Sequence, residues 1–151
     1  MRIVAIEEHF APKDLLARRD PVLGDLGPLA DRLDDVGAGR LADMDRHGIS
    51  FQVLSSTPPN PDTADEARIW NDRLAELVAQ HPDRFGGFAS LATPDPASLP
   101  RELERAATTL GFHGAIVHGH AHGRFLDHPD FWPLFEAAEA LAVPLYLHPT
   151  P

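Results

Sequence analysis

A carboxylate and an imidazole stand two residues apart, Glu7 and His9, directly after an apolar run from Ile3 to Ile6. In an extended strand successive side chains alternate faces, so Glu7 and His9 point to one side and Glu8 to the other. Two residues of strand rise separate their backbones by roughly 6.5 Å, close enough for both side chains to reach one cation. A carboxylate oxygen and a neutral imidazole nitrogen are ordinary zinc ligands at about 2 Å and suit other divalent metals. The chain has no cysteine, so a metal here must be held by His, Asp, Glu or water. Taken alone, Glu-x-His also fits a strand that ends in polar residues at the surface.

Other residues carry candidate chemistry. His118, His120 and His122 form a His-Gly-His-Ala-His series. An extended segment would place all three on one side, as in a second metal site, whereas the glycine favours a loop lining a pocket. Arg124 fits either a substrate carboxylate or a solvated surface charge. His47, His81, His113 and His128 fall at helix ends or strand starts, where capping or exposure is the default. Trp70 and Trp132 lie on or beside apolar helical stripes and read as core. Ser55 and Ser56 have no histidine partner in sequence, which leaves a nucleophilic serine without support.

The elements that must position these residues follow a regular alternation. Residues 2–6 read as a buried parallel strand. Residues 11–37 are punctuated by Pro and Gly, with a short helix around Asp14–Arg18. Then come a helix over 39–47 capped by Gly48, a strand from Ile49 to Leu54, a turn-rich stretch over Ser55–Asn60 and a helix over 62–81. A strand from Phe85 to Leu91 follows. Asp95-Pro96 opens a third helix, marked by Leu99, Leu103, Ala106, Ala107 and Leu110 and ended by Gly111. Phe112 to Val117 is the fourth strand, and His118 to Asp127 is a loop. Pro129 to Leu141 is a helix with Phe131, Phe135, Ala138 and Leu141 on its apolar stripe. Pro144 to Leu147 is the fifth strand, closed by His148.

Strand–helix alternation implies a parallel sheet with right-handed crossovers. No glycine-rich phosphate fingerprint follows the first strand, which removes the dinucleotide-binding version of such a sheet. His9, His118 and His148 all sit at or just past strand C-termini, where a (β/α)8 barrel places its chemistry. The expected fold class is therefore α/β, a parallel (β/α) barrel of the TIM type truncated after about five strands. Residues 1–151 form one domain that is the N-terminal portion of such a barrel. The formal net charge of −10 and the lack of a basic stripe exclude nucleic acid and anionic membrane as partners. No signal-peptide pattern and no apolar run of membrane-spanning length is present, so the expected location is cytoplasmic.

At this point a family likeness can be stated. It rests on Ala5-Ile6-Glu7-Glu8-His9-Phe10-Ala11, Met44-Asp45-Arg46-His47-Gly48-Ile49 and His81-Pro82-Asp83-Arg84-Phe85, then on Leu110-Gly111-Phe112-His113-Gly114-Ala115 and Val143-Pro144-Leu145-Tyr146-Leu147-His148-Pro149. In order and spacing these resemble the amidohydrolase-related metal-dependent decarboxylases: aminocarboxymuconate-semialdehyde decarboxylase and the gamma-resorcylate and dihydroxybenzoate decarboxylases. The likeness is closest to the hydroxybenzoate branch. It implies an amidohydrolase-type barrel and a divalent ion, zinc or manganese, held by Glu7, His9 and His148. It also implies a small aromatic carboxylic acid as substrate and loss of carbon dioxide from it. A hydrolase of the same superfamily is the nearest alternative. The resemblance places His118 near the substrate, at a position where the family often carries Asn. The family's further metal and proton-transfer residues, a histidine on the sixth strand and an aspartate near the eighth, are expected beyond residue 151. An open edge on the fifth strand implies a homo-oligomer or a complementing chain, and a non-catalytic half-barrel is the other alternative.

Overall fold

The structure, a computed structural model, describes residues 1–19, 27–57, 61–121 and 123–149. Five parallel staves of a (β/α) barrel run through it. β1 (Ile3–Phe10) pairs with β2 (Ile49–Ser56), placing His9 beside Ser55 and Glu8 beside Leu54, and β2 pairs with β3 (Phe85–Gly87). β4 (Ala89–Ser90) continues the stave of β3 and pairs with β5 (Ala115–His118). A small antiparallel hairpin, β6 (His120–Ala121) and β7 (Arg124–Phe125), leads away from β5. The last stave, β8 (Leu145–His148), pairs with β5 so that His118 faces His148 across the ladder. The expected third strand is thus interrupted at Phe88, whose N–H donates to the Leu54 carbonyl (2.8 Å) and carries the pairing across the break.

Helices pack on the outer face: α1 (Lys13–Arg19), α2 (Pro28–Asp34), α3 (Ala38–His47), α4 (Ala64–Val78), α5 (Leu99–Thr108) and α6 (Trp132–Leu141). Local chemistry sets their ends. Thr63 caps α4 by accepting the Glu66 N–H, while Glu66 accepts the Asp62 N–H. Gly48 ends α3 at φ 69°, a left-handed conformation that glycine adopts without strain. The main core lies between helices and staves and contains Trp70, Leu74, Phe85, Leu99, Leu103 and Phe131. A second, smaller cluster fills the inner face: Val53, Phe88 and Ile116, with Phe51 and Tyr146 against them.

The structure corrects several expectations. The first strand runs on to Phe10, because its pairing with β2 persists to the end, and so carries Glu7 and His9 within it. It is not buried: Ile3, Val4 and Ile6 are 38–47% exposed, since among the described residues β1 has a neighbour on one edge only. α2 appears where no period was legible. Its stretch is short and opens on Pro28, so length and composition hide it. Asp95 precedes a 3₁₀ turn over Pro96–Ser98 and makes no side-chain cap. A like turn over Pro129–Phe131 precedes α6, and Leu134, not Phe135, continues the buried stripe from Phe131 to Ala138 at spacings of three and four, so Phe135 and Trp132 face outward. Trp132 is therefore not core, and its indole N–H donates to the Asp127 carbonyl (3.1 Å). Residues 20–26 of the Pro- and Gly-punctuated stretch, residues 58–60 of the turn, His122 and the last two residues lie outside the described residues.

Candidate metal centre

β1 brings Glu7 and His9 to the inner face from one side, and β8 brings His148 from the other. One donor atom from each lies within 4.8 Å of the others. His148 Nε2 stands 3.2 Å from Glu7 Oε1, and the His9 and His148 ring centroids are 5.6 Å apart, edge to face. Glu8 points to the opposite side of β1, where it accepts a hydrogen bond from Gln52 Nε2 (3.2 Å). The alternation read from the sequence thus separates the two carboxylates.

Neighbouring groups orient the three donors. His148 Nδ1 donates to the Pro149 carbonyl (2.7 Å), an oxygen that only accepts, so the proton sits on Nδ1 and the Nε2 lone pair faces Glu7. Ser55 Oγ lies 3.3 Å from His9 Nδ1 and turns that ring's Nε2 inward. The Tyr146 hydroxyl donates to Glu7 Oε2 (2.5 Å), with its ring stacked 6.1 Å from Phe88. The Arg40 guanidinium donates to the His9 carbonyl (2.8 Å) and ties the end of β1 to α3. Arg40 also lines, with Glu8 and Gln52, a cleft of about 500 Å³ on the outer side of β1.

The electrostatics favour the deprotonated forms that a cation requires. Glu7 is held below the ordinary carboxylate range, first by the Tyr146 hydroxyl and then by the two histidines. The same hydrogen bond raises the Tyr146 phenol. His9 is held below the ordinary imidazole range, first by burial and then by His148. His118 is pushed down to about 4 by burial, with His148 and His9 adding to it.

The remaining sequence candidates separate. His118 is buried on the inner face, its ring 4.9 Å from that of His148. His120 is exposed in the hairpin, against Phe125, because the chain turns away after Gly119. The histidine series therefore does not converge through these two, and His122 lies outside the described residues. Arg124 pairs with Asp130, as a surface charge would. His128 caps the turn that follows it, accepting the Asp130 N–H at Nδ1 (3.3 Å). Sequence reasoning missed Tyr146, Ser55 and Arg40. Tyr146 was findable, since it shares the face of His148 two residues on. Ser55 was not, because only the register of β1 on β2 sets it beside His9.

The amidohydrolase family profile matches residues 9–151. The gamma-resorcylate decarboxylase of Polaromonas sp. (strain JS666) is 40% identical over 161 residues, covering 97% of this chain and 49% of that protein. The crystal structure of a dihydroxybenzoic acid decarboxylase from Polaromonas sp. JS666, with bound manganese and the inhibitor 2-nitroresorcinol, is 39% identical. It superposes with a TM-score of 0.84 over 99% of this chain and 50% of that one. A 5-carboxyvanillate decarboxylase from Novosphingobium aromaticivorans, also with bound manganese, is 34% identical, with a TM-score of 0.86 over 99% and 51% of the two chains. The chain spans about half the length of these relatives.

Proposed function

The chain belongs to the amidohydrolase family, and from that premise we propose that it is the N-terminal portion of a metal-dependent decarboxylase acting on ortho-hydroxy aromatic acids. One observation carries the reading: Glu7, His9 and His148, distant in sequence, bring their donor atoms within 4.8 Å of one another on the inner face. Tetrahedral donors at about 2.1 Å from one ion stand about 3.4 Å apart, close to the 3.2 Å between His148 Nε2 and Glu7 Oε1. One carboxylate oxygen and two imidazole nitrogens, with His148 fixed in the right tautomer, fit zinc or manganese. Such an ion, when bound, supplies a Lewis acid and a template for a carboxylate and the adjacent phenolic oxygen.

The residues of this chain do the positioning. Glu7, His9 and His148 hold the ion, while Tyr146, Ser55 and the Pro149 carbonyl fix their orientation. Val53, Phe88 and Ile116 form an apolar wall suited to an aromatic ring, and His118 borders the space as a substrate contact. In the reaction the bond between ring carbon and carboxylate breaks, its electron pair stays on the ring carbon, a proton adds there and carbon dioxide leaves. The proton donor and the carboxylate that completes the metal site are assigned to the later staves of the barrel.

A second reading is favoured by the exposed apolar residues along the open staves: Ile3, Val4 and Ile6 on β1 and Leu147 on β8. These edges suit pairing with another copy or with a complementing chain that carries the remaining staves. Among the described residues no helix is long and apolar enough to cross a membrane, and we assign the protein to the cytoplasm. The test is release of carbon dioxide from 2,6-dihydroxybenzoate by the manganese-loaded chain, alone and co-expressed with the second half of a gamma-resorcylate decarboxylase barrel. Turnover in either setting supports the proposal. Hydrolysis of a lactone without turnover of hydroxybenzoates transfers the chain to the hydrolases. Failure to bind metal removes both.

A further inference from the structure

The outer side of β1 carries a second concave site, back to back with the metal cluster. The cleft of about 500 Å³ there is lined from β1, β2, α2 and α3, and lies within the roughly 300–1,000 Å³ of small-ligand sites. Gln52 of β2 lines it and is only 5% exposed. Its Nε2 donates to Glu8 Oε2 (3.2 Å), but its Oε1 has no hydrogen-bond partner among the described residues. Buried acceptors are nearly always met, because an unmet one destabilises a fold. From α3, Arg40 commits Nε and Nη2 to the carbonyls of Asp35 (2.8 Å), His9 (2.8 Å) and Arg32 (3.3 Å). Its Nη1 meets no acceptor among the described residues. An unmet acceptor beside a carboxylate and an unmet cationic donor thus share one cleft.

The charges decide between ligand classes. The lining sets the carboxylates of Glu8, Asp35 and Asp43 against the guanidiniums of Arg32, Arg40 and Arg46, a neutral balance. Asp43 already pairs with Arg46 and His47, and Asp35 accepts the Gly37 N–H. Glu8 and Arg40 keep free hydrogen-bonding capacity beside the bare Gln52 oxygen. A lone cation would leave Arg40 unmet and add to the guanidiniums. A lone anion would leave Gln52 Oε1 unmet and add to the carboxylates. A small molecule with an ammonium and a carboxylate close together meets both and keeps the balance neutral. We propose that this cleft binds a free α-amino acid, its ammonium on Glu8 and Gln52 Oε1 and its carboxylate on Arg40. The assignment does not depend on which reaction the inner face performs.

Calorimetric titration of the full chain with the common L-amino acids tests this, the chain being stripped of metal so that no amino acid chelates an ion. At least one should bind, one molecule per chain, with a Kd below about 1 mM. Propylamine, propionate and glycerol, which carry one of the two charges or neither, should bind at least about tenfold more weakly, the value of one charge-assisted hydrogen bond. Gln52→Leu and Glu8→Gln should each weaken the amino acid about tenfold. His148→Ala, on the other face of the sheet, should leave its affinity within about twofold. If Gln52→Leu melts well below wild type, Glu8→Gln decides alone. A chain that binds no amino acid holds only water in the cleft, which overturns the inference. Equal binding of propylamine or propionate overturns it as well. Undiminished binding in a folded Glu8→Gln, or loss of binding in His148→Ala, places the ligand elsewhere and overturns it too.

Discussion

Replacing Asn71 with Ala should loosen the seam on which the site depends. The metal donors come from two sheets: Glu7 and His9 from the one containing β1, His148 from the one containing β4, β5 and β8. Asn71, fully buried on α4, donates through Nδ2 to the Ser90 carbonyl (3.0 Å) and to Glu102 Oε1 (2.7 Å), and accepts the Ser90 N–H at Oδ1 (2.8 Å). Ser90 lies on β4, and its hydroxyl meets that of Ser56 on β2 at 2.6 Å, linking the two sheets. The truncation strands the N–H and C=O of a residue only 1% exposed, while Glu102 keeps its two bonds from Arg105 (2.8 and 2.9 Å). Each stranded buried group costs about 1–3 kcal/mol, so the loss should be about 3–5 kcal/mol, a large part of the roughly 5–15 kcal/mol that a domain possesses. Urea unfolding followed by far-UV circular dichroism reads this as a midpoint lower by about 1 M or more at unchanged slope. A loss below about 1 kcal/mol would refute the view that this amide clamps the seam.

Three further outcomes follow. Gly114→Ala should lower the melting temperature by about 5 °C or more, because Gly114 sits at φ 152° and a Cβ there would lie 2.2 Å from the Pro144 carbonyl oxygen, forcing β5 and β8 apart. An unchanged melting curve contradicts it. Tyr146→Phe should weaken zinc binding about tenfold in calorimetry without lowering the melting temperature, since the hydroxyl orients Glu7 and does not touch the ion. Equal affinity contradicts that role. Metal-free stability should fall as pH drops below about 6.5. The unfolded chain's histidines take protons there, whereas folded His9 and His118 are depressed and stay neutral, His118 down to about 4. Chemical denaturation across that window should show a shallower acid decline in His118→Leu, and an identical decline contradicts the assignment.

How much of this was legible in the sequence depends on the range of the cause. α4 was plain because Ala67, Trp70 and Leu74 repeat at helical spacing and all are buried, and the left-handed end of α3 was announced by Gly48. The shared face of Glu7 and His9 followed from strand alternation alone. The burial of Trp132 and Phe135 was misjudged because Leu134 and Phe135 both stand at helical spacing from Phe131, and tertiary packing, not the periodicity, selects Leu134. The exposure of β1 depends on which strands flank it, and the Ser55–His9 contact on register between strands. Neither is encoded within reach of a local pattern. That His148 should meet Glu7 across 141 residues was legible only through the family likeness, because spacing along the chain says nothing about closure of a curved sheet.

The central claim is that Glu7, His9 and His148 form one metal site, and metal stoichiometry tests it most directly. Equilibrium dialysis of the purified chain against zinc and against manganese, with elemental analysis, should show one ion per chain. Glu7→Gln, His9→Ala and His148→Ala should each weaken that binding by roughly a hundredfold or more, beyond what loss of an outer partner costs. Wild-type affinity in His148→Ala, or a chain that takes up no ion at all, would contradict the account.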